Sequence, residues 1–280
     1  AIDWYRDEDE RIWLNIQEYR PPAKIDPQKA RDRLAAATLA AQQVLAVPVE
    51  QIVVRIRARQ KGRSQYSRFS NEGVERVVRE GDTRLWVNFT DYLDTGLFID
   101  HRLVRDHIAE LSQGKRLLNL FCYTASASVR AAVAGAHATF SVDLSNTYLK
   151  WAERNFAANH LTTGKAHRLI RADVTQWLSR PPESAADVFD VVFCDPPSFS
   201  NSKAMHGILD ISKDHPSLIY HAMQRVAGDG VLVFSTNRHG FVLADEINQQ
   251  FEVVNISHQT RPPDFARHPK RRSVFEIRHR

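Results

Sequence analysis

Cysteine is scarce in this sequence: Cys122 and Cys194 are the only two among 280 residues. Two thiols cannot build a disulfide framework, and both stand in apolar, strand-like runs, so they read as buried free thiols of a reducing cytoplasm. No Cys/His spacing matches a zinc site, and no metal is expected. Long apolar runs are missing as well. Nothing approaches the roughly 20 residues of a membrane span, and the opening Ala1-Ile-Asp-Trp-Tyr-Arg lacks the apolar stretch of a signal peptide. Glycine is sparse, with 11 residues. The turn after the first strand of the α/β region, Phe121 to Ser126, contains none. A dinucleotide enzyme needs Gly-x-Gly-x-x-Gly there to bring backbone against a pyrophosphate. Its absence argues against an NAD enzyme and leaves room for a ligand without phosphates.

What is present fits a soluble globular chain of one large domain, or a catalytic domain with a smaller partner: 43% apolar and 25% charged residues. The net charge of +5 is unevenly spread. From Gln51 to Thr90 there are nine Lys/Arg against four Asp/Glu, and from Arg261 to Arg280 seven against two. Two basic patches suit a polyanion such as RNA or DNA; a solvated basic surface is the level alternative.

Asp26-Pro27 opens an Ala-rich helix that runs to Leu45. Short alternating segments follow at Ile52-Arg59, Gln65-Phe69, Val74-Val78 and Leu85-Phe89, which predict a small antiparallel sheet. Its polar face would carry Arg55, Arg57, Arg59, Lys61, Arg63 and Arg68, interleaved with Tyr66 and Phe69. Arginine with aromatics suits stacking on unpaired bases, and ordinary cross-strand packing explains the aromatics equally well. Beyond Gly114 the rhythm becomes strand, helix, strand, helix. Five strands, at 117–121, 139–143, 166–170, 189–194 and 231–235, predict a parallel, doubly wound α/β sheet, and strands at 253–258 and 274–278 predict an antiparallel edge. The predicted domains are 1–98 and 99–280.

In such a sheet, ligands lie outside the carboxyl ends of the strands. Acids stand there in register. Asp143 ends the second strand, followed by Leu144 and Ser145, and can accept both hydroxyls of a ribose. Asp173, followed by Val174, could accept an exocyclic N–H of a base. Each Asp could equally cap the helix it precedes. Asp195-Pro196-Pro197 ends the fourth strand. Two prolines make a rigid turn without N–H donors, which leaves carbonyl oxygens and the carboxylate facing the crevice. Phe199 stands where a ring could stack on a flipped base; a plain strand exit with a core Phe is the alternative.

Asn119-Leu-Phe-Cys-Tyr-Thr, Val142-Asp-Leu-Ser, Trp151-Ala-Glu-Arg-Asn and Asp195-Pro-Pro-Ser-Phe-Ser-Asn-Ser-Lys together resemble the bacterial 23S ribosomal RNA guanine-N7 methyltransferases. In many bacteria these form the C-terminal half of a fused protein. Gly96-Leu-Phe-Ile-Asp-His-Arg, Phe234-Ser-Thr-Asn-Arg-His-Gly-Phe and Asp264-Phe-Ala-Arg extend the resemblance over nearly the whole chain. It implies a Rossmann-like class I methyltransferase domain behind a small α+β RNA-binding domain, and S-adenosylmethionine as cofactor. It also implies 23S rRNA or a pre-ribosomal large-subunit particle as partner, with a second methyltransferase domain fused or separate. The implied cofactor pocket comprises Asp100, Arg102, Asn119, Phe121, Tyr123, Thr124, Asp143, Asp173 and Asp195. Ala125 departs from the family pattern, which has Gly after Tyr-Thr, where φ > 0 or close approach is allowed.

Guanine N7 is a bare lone pair, so its methylation needs positioning and groups that tolerate growing positive charge, not a general base. Asp195, Pro196, Pro197 and Phe199 are the candidate catalytic residues, and Lys203 a phosphate contact. Cytosine-C5 methylation needs a thiolate, and the turn Ser235-Thr-Asn-Arg, where related enzymes carry it, has none. Methylation of an exocyclic amine on N2 of guanine or N6 of adenine often uses Asp/Asn-Pro-Pro-Tyr or Phe; Ser198 holds that fourth place and Phe199 follows it. A non-catalytic RNA-binding assembly factor is the remaining alternative.

Overall fold

The structure is a computed structural model that describes residues 1–19, 22, 24–57, 73–200, 209–267 and 272–280, of which the side chains at 199 and 200 are excepted. The expected RNA contacts Arg59, Lys61, Arg63, Arg68 and Lys203, and the aromatics Tyr66 and Phe69, lie outside the described residues. The chain divides into two compact units, Ala1–Gly96 and Leu97–Arg280.

In the first unit, β1 (Ile2–Arg6) and β2 (Ile12–Tyr19) form an antiparallel pair, with Trp4 opposite Leu14. Helix α1 (Pro27–Leu45) begins where the Asp26 side chain accepts the Lys29 N–H at 2.9 Å and ends at Ala46 with φ 51°. It carries the chain to β3 (Ile52–Arg57), which lies parallel to β2, Tyr19 opposite Arg57. The predicted sheet is therefore corrected. β3 joins β2, not the strands after it, because the crossover helix returns the chain in the same direction. β4 (Glu75–Glu80) and β5 (Thr83–Asn88) form a separate antiparallel pair. Leu14, Ile16, Ala41 and Val47 make the core between sheet and α1. Trp13 stacks on Phe89 at 5.7 Å on the opposite side.

The second unit runs α2 (Arg102–Leu111), β6 (Arg116–Leu120), α3 (Ser126–Val133), β7 (Ala138–Asp143), α4 (Asn146–Ala158), β8 (His167–Arg171), α5 (Val174–Leu178) and β9 (Phe189–Cys194). The short pair β10 (Phe199–Ser200) and β11 (Leu209–Asp210) precedes α6 (Ile211–Met223), β12 (Val226–Thr236), α7 (Asp245–Gln250), β13 (Glu252–Asn255) and β14 (Ser273–Arg278). The seven-stranded sheet has the order β13-β14-β12-β9-β6-β7-β8. β14 is antiparallel to both its neighbours and the other pairings are parallel, the expected doubly wound sheet with an antiparallel edge.

Alternate residues of each strand face opposite layers. Leu117, Val191, Phe193 and Val233 meet α2 and α3, while Leu118, Leu120, Val192, Leu232 and Phe234 meet α5, α6 and α7. The chain winds outward from β6 to β7 and β8, then crosses back to β9 on the other flank. The order reverses between β6 and β9, and a crevice opens beyond their carboxyl ends at such a point. Among the described residues, no helix is long and apolar enough to cross a membrane.

Candidate active site

The turn leaving β6 is built under constraint. Phe121, Tyr123 and Ala125 all have left-handed backbone, with φ of 55°, 54° and 55°. Each such residue costs roughly 1–2 kcal/mol when it carries a Cβ, so neighbouring groups must hold the turn. Cys122 N–H donates to the Val142 carbonyl at 3.0 Å. Asn155 Nδ2 donates to the Thr124 carbonyl at 2.9 Å. The Tyr123 ring packs edge-on against Tyr148 at 4.5 Å, with Phe98 at 5.3 Å. Strain concentrated beside a strand end is a mark of a functional crevice. Ala125, where the family pattern has glycine, adopts the conformation that favours glycine and opens α3.

Asp143 is the main anchor of this turn. Its Oδ2 accepts the Tyr123 N–H at 2.9 Å and its Oδ1 accepts the Ser145 N–H at 2.8 Å. Burial raises its pKa, and the backbone donors at Ser145, Tyr123 and Leu144 oppose that rise. A carboxylate oxygen takes two donors, so each Asp143 oxygen keeps room to accept one more. Ser145 itself caps α4 by accepting the Tyr148 N–H at 3.3 Å. Asp173 takes the capping role that its position allowed: its Oδ1 accepts Thr175 N–H at 2.9 Å and Gln176 N–H at 3.3 Å at the start of α5.

A second cluster forms around Asp195. Arg272 Nη1 donates to Asp195 Oδ1 at 3.3 Å and to Ser235 Oγ at 3.2 Å, and Nη2 reaches Asp100 Oδ2 at 3.0 Å. Arg272 also contacts His101 Nε2. That nitrogen faces donors, while His101 Nδ1 lies 3.7 Å from Asp195 Oδ2. The network therefore assigns a neutral ring protonated on Nδ1. Burial drives the His101 pKa well below its ordinary value, helped by the charges of Arg272 and Arg105. Burial raises the Asp195 carboxyl to about 6 against the opposing pull of Arg272 and a hydrogen bond from Ser235.

The Asp195-Pro-Pro turn is tied to the exit of β12, where Ser198 Oγ donates to Asn237 Oδ1 at 2.6 Å. The backbone of Phe199 pairs with Asp210; its side chain lies outside the described residues. Both cysteines are buried, and burial lifts their pKa values well above the ordinary thiol range, with Asp143 adding to the rise at Cys122 and Asp195 at Cys194. Neither can serve as a thiolate nucleophile at neutral pH.

The structure thus brings Asp100 and Asp195 together, and sets Tyr123 against Asp143. Other expected pocket residues have partners within the fold. Arg102 forms an ion pair with Asp264. Asn119 is sealed beneath α3, its Nδ2 donating to Ser128 Oγ at 2.8 Å, because its position in β6 points to the α2–α3 layer. Val174 is buried in the opposite core and Thr124 is fully buried, while Phe121 packs against that core. The Leu144 carbonyl accepts from Arg171 Nε at 3.3 Å. Sequence reasoning missed His101, Ser235 and Arg272. Only the neighbours of His101 and Ser235 carried a signal, in the Asp-His-Arg and Phe-Ser-Thr-Asn runs. A cavity of about 60 Å³ beside Asp100 and Arg272, lined also by Pro262 and Phe265, is far smaller than the roughly 300–1,000 Å³ of a typical ligand pocket.

In the first unit, Arg57 pairs closely with Asp94 and donates to the Leu93 carbonyl at 3.2 Å. Arg55 occupies the same sheet face, opposite Gln17.

The S-adenosylmethionine-dependent methyltransferase family matches residues 13–266. Ribosomal RNA large subunit methyltransferase K/L of Chromohalobacter salexigens is 48% identical over 280 residues, and that of Pseudomonas aeruginosa 47% over 277. The matches take in 100% and 99% of this chain but 37% of each relative. The chain therefore spans just over a third of these relatives, which corrects the expected half. Among solved structures, a protein assigned as a SAM-dependent methyltransferase from Streptococcus mutans superposes with a TM-score of 0.69 at 25% identity, over 95% of this chain and 68% of that one. A further methyltransferase structure, complexed with SAH, gives 0.68 at 26% identity, over 89% and 66%.

Proposed function

The chain belongs to the S-adenosylmethionine-dependent methyltransferase family, which has that compound as its cofactor, and on this premise we propose that it methylates large-subunit ribosomal RNA at guanine N7. The names of its curated relatives support the RNA class. The observation that carries the atom is the engagement of Asp195. Its oxygens are met by Arg272 and faced by His101, a poor arrangement for accepting the N–H of a target amine but a good one for a fixed negative charge near a purine. The two buried cysteines speak against cytosine C5.

Asp143 would hold the ribose hydroxyls of the cofactor, Asp173 its adenine edge, and the Phe121–Ala125 turn its remaining length. The cofactor supplies an electrophilic methyl on a sulfonium. Guanine N7 would attack with a lone pair that carries no proton, so no residue of the chain would have to remove one. The chain's part is alignment, exclusion of water, and a carboxylate that tolerates the positive charge arriving on the base. The basic residues at Arg55–Arg68 and Lys203 would contact phosphates.

A second reading, methylation of an exocyclic amine, draws on the Asp195 carboxyl, which titrates near 6. A group of that kind can take a proton near neutral pH. Incubating the chain with 23S rRNA and methyl-labelled cofactor tests the shared claim: label in RNA supports it and unlabelled RNA contradicts it, while undiminished label with Asp195→Asn removes Asp195 from either role.

A further inference from the structure

One guanidinium joins four segments that are distant in sequence. Arg272 immediately precedes β14, Asp195 immediately follows β9, Ser235 lies in β12, and Asp100-His101 precede α2. Arg272 donates to Asp100 Oδ2 from both Nε, at 3.2 Å, and Nη2, at 3.0 Å, and reaches Asp195 and Ser235 from Nη1. Its side chain is 14% exposed. A planar fork of five donors can satisfy two carboxylates, a hydroxyl and an imidazole at once; a lysine offers a point charge.

We infer that Arg272 is a positioning residue for methyl transfer, fixing the direction of the Asp195 carboxylate, with two carboxylates meeting one cation at its guanidinium beside the reacting base. This rests on the reading that Asp195 stands at that base. The inventory of facing groups is short. The turn before α2 supplies Asp100 and neutral His101, and α2 itself supplies the cation Arg105 behind the histidine. β12 supplies Ser235, β9 the neutral thiol of Cys194, and the approach to β14 Arg272. At the guanidinium two carboxylates meet one cation. A base that becomes cationic at N7 is held by such a site. With Arg272 removed, two half-buried carboxylates would repel and one would take up a proton.

The test is a 13C NMR titration of the Asp195 carboxyl in the full chain, in wild type, Arg272→Lys and Arg272→Met. The expected result is a midpoint raised by about one to three pH units in Arg272→Met, the range set by loss of an adjacent opposite charge, with Arg272→Lys restoring most of it. An unmoved midpoint in Arg272→Met overturns the proposal. If Arg272→Met does not fold, Asp100→Asn/Arg272→Met restores the net charge at the cluster. Its Asp195 midpoint within about one unit of wild type supports the charge assignment, and a larger displacement overturns it. Steady-state methylation separates the positioning role: Arg272→Lys should keep KM for RNA and lose kcat, and an equal loss of kcat and KM effects in all variants contradicts positioning. Absence of methylation by the wild-type chain would sink the functional reading while leaving the titration intact.

Discussion

The backbone N–H of Tyr123 donates to Asp143 Oδ2 at 2.9 Å, so the acid at the end of β7 holds the left-handed turn that leaves β6. One carboxylate thereby holds the turn leaving β6 and the start of α4. Asp143→Ala should weaken S-adenosylmethionine binding by about tenfold to a hundredfold, as loss of one or two charge-assisted hydrogen bonds does. Calorimetric titration measures this, and an unchanged dissociation constant would place Asp143 outside the pocket. The same variant should also lower Tm, because the Tyr123 and Ser145 N–H groups lose their acceptor.

Ala125 is fully buried with φ 55°. A β-branched residue there meets both the left-handed penalty and a packed surrounding. Ala125→Val should lose about 2–4 kcal/mol of stability in urea unfolding. A loss below about 0.5 kcal/mol would mean that the turn relaxes to another conformation.

The Asp195 carboxyl is raised from its ordinary 3.8 to about 6. A raised acid binds protons more tightly in the folded state, so its neutral form is favoured by folding. The destabilisation from ionising it is absent below about pH 4, grows between about pH 4 and 6, and is complete above. Asp195→Asn should therefore be more stable than wild type at pH 8, by up to about 3 kcal/mol, with the gap closing below about pH 4. Equal stability of the two proteins at both pH values would show that Arg272 fully compensates the buried charge.

Arg57 is neutralised by Asp94, so it has little charge to offer a phosphate. Replacing Arg59, Lys61 and Arg63 together with Ala should lower the slope of log K against log salt for RNA binding by about two, whereas Arg57→Ala should change it by less than about one. Equal slopes in both variants and wild type would move the RNA surface elsewhere on the chain.

The sheet of the second unit was legible because each strand is a short apolar run followed by a polar turn, and Asp143, Asp173 and Asp195 stand at successive strand ends. A local signal also predicted the Asp26-Pro27 helix start. The parallel pairing of β3 with β2 was not legible. No strand is predicted between Ile2 and Tyr19, where β1 and β2 lie, so β3 has no predicted partner except the strands after it. The Arg272 junction escaped for a different reason. Arg272 sits in a basic run whose members look alike, and only folding brings it to Asp100, which is 172 residues away. Asn119 entered the expected pocket through the resemblance alone, and one step along β6 decides whether a side chain faces the crevice or, as here, Ser128 of α3.

The central claim is tested most directly by digesting labelled 23S rRNA to nucleosides after incubation with this chain and methyl-labelled S-adenosylmethionine, and identifying the product by mass spectrometry. The account predicts label in 7-methylguanosine. Label confined to N2-methylguanosine or N6-methyladenosine would contradict the N7 assignment, and RNA that stays unlabelled both naked and in pre-ribosomal particles would contradict the proposed activity.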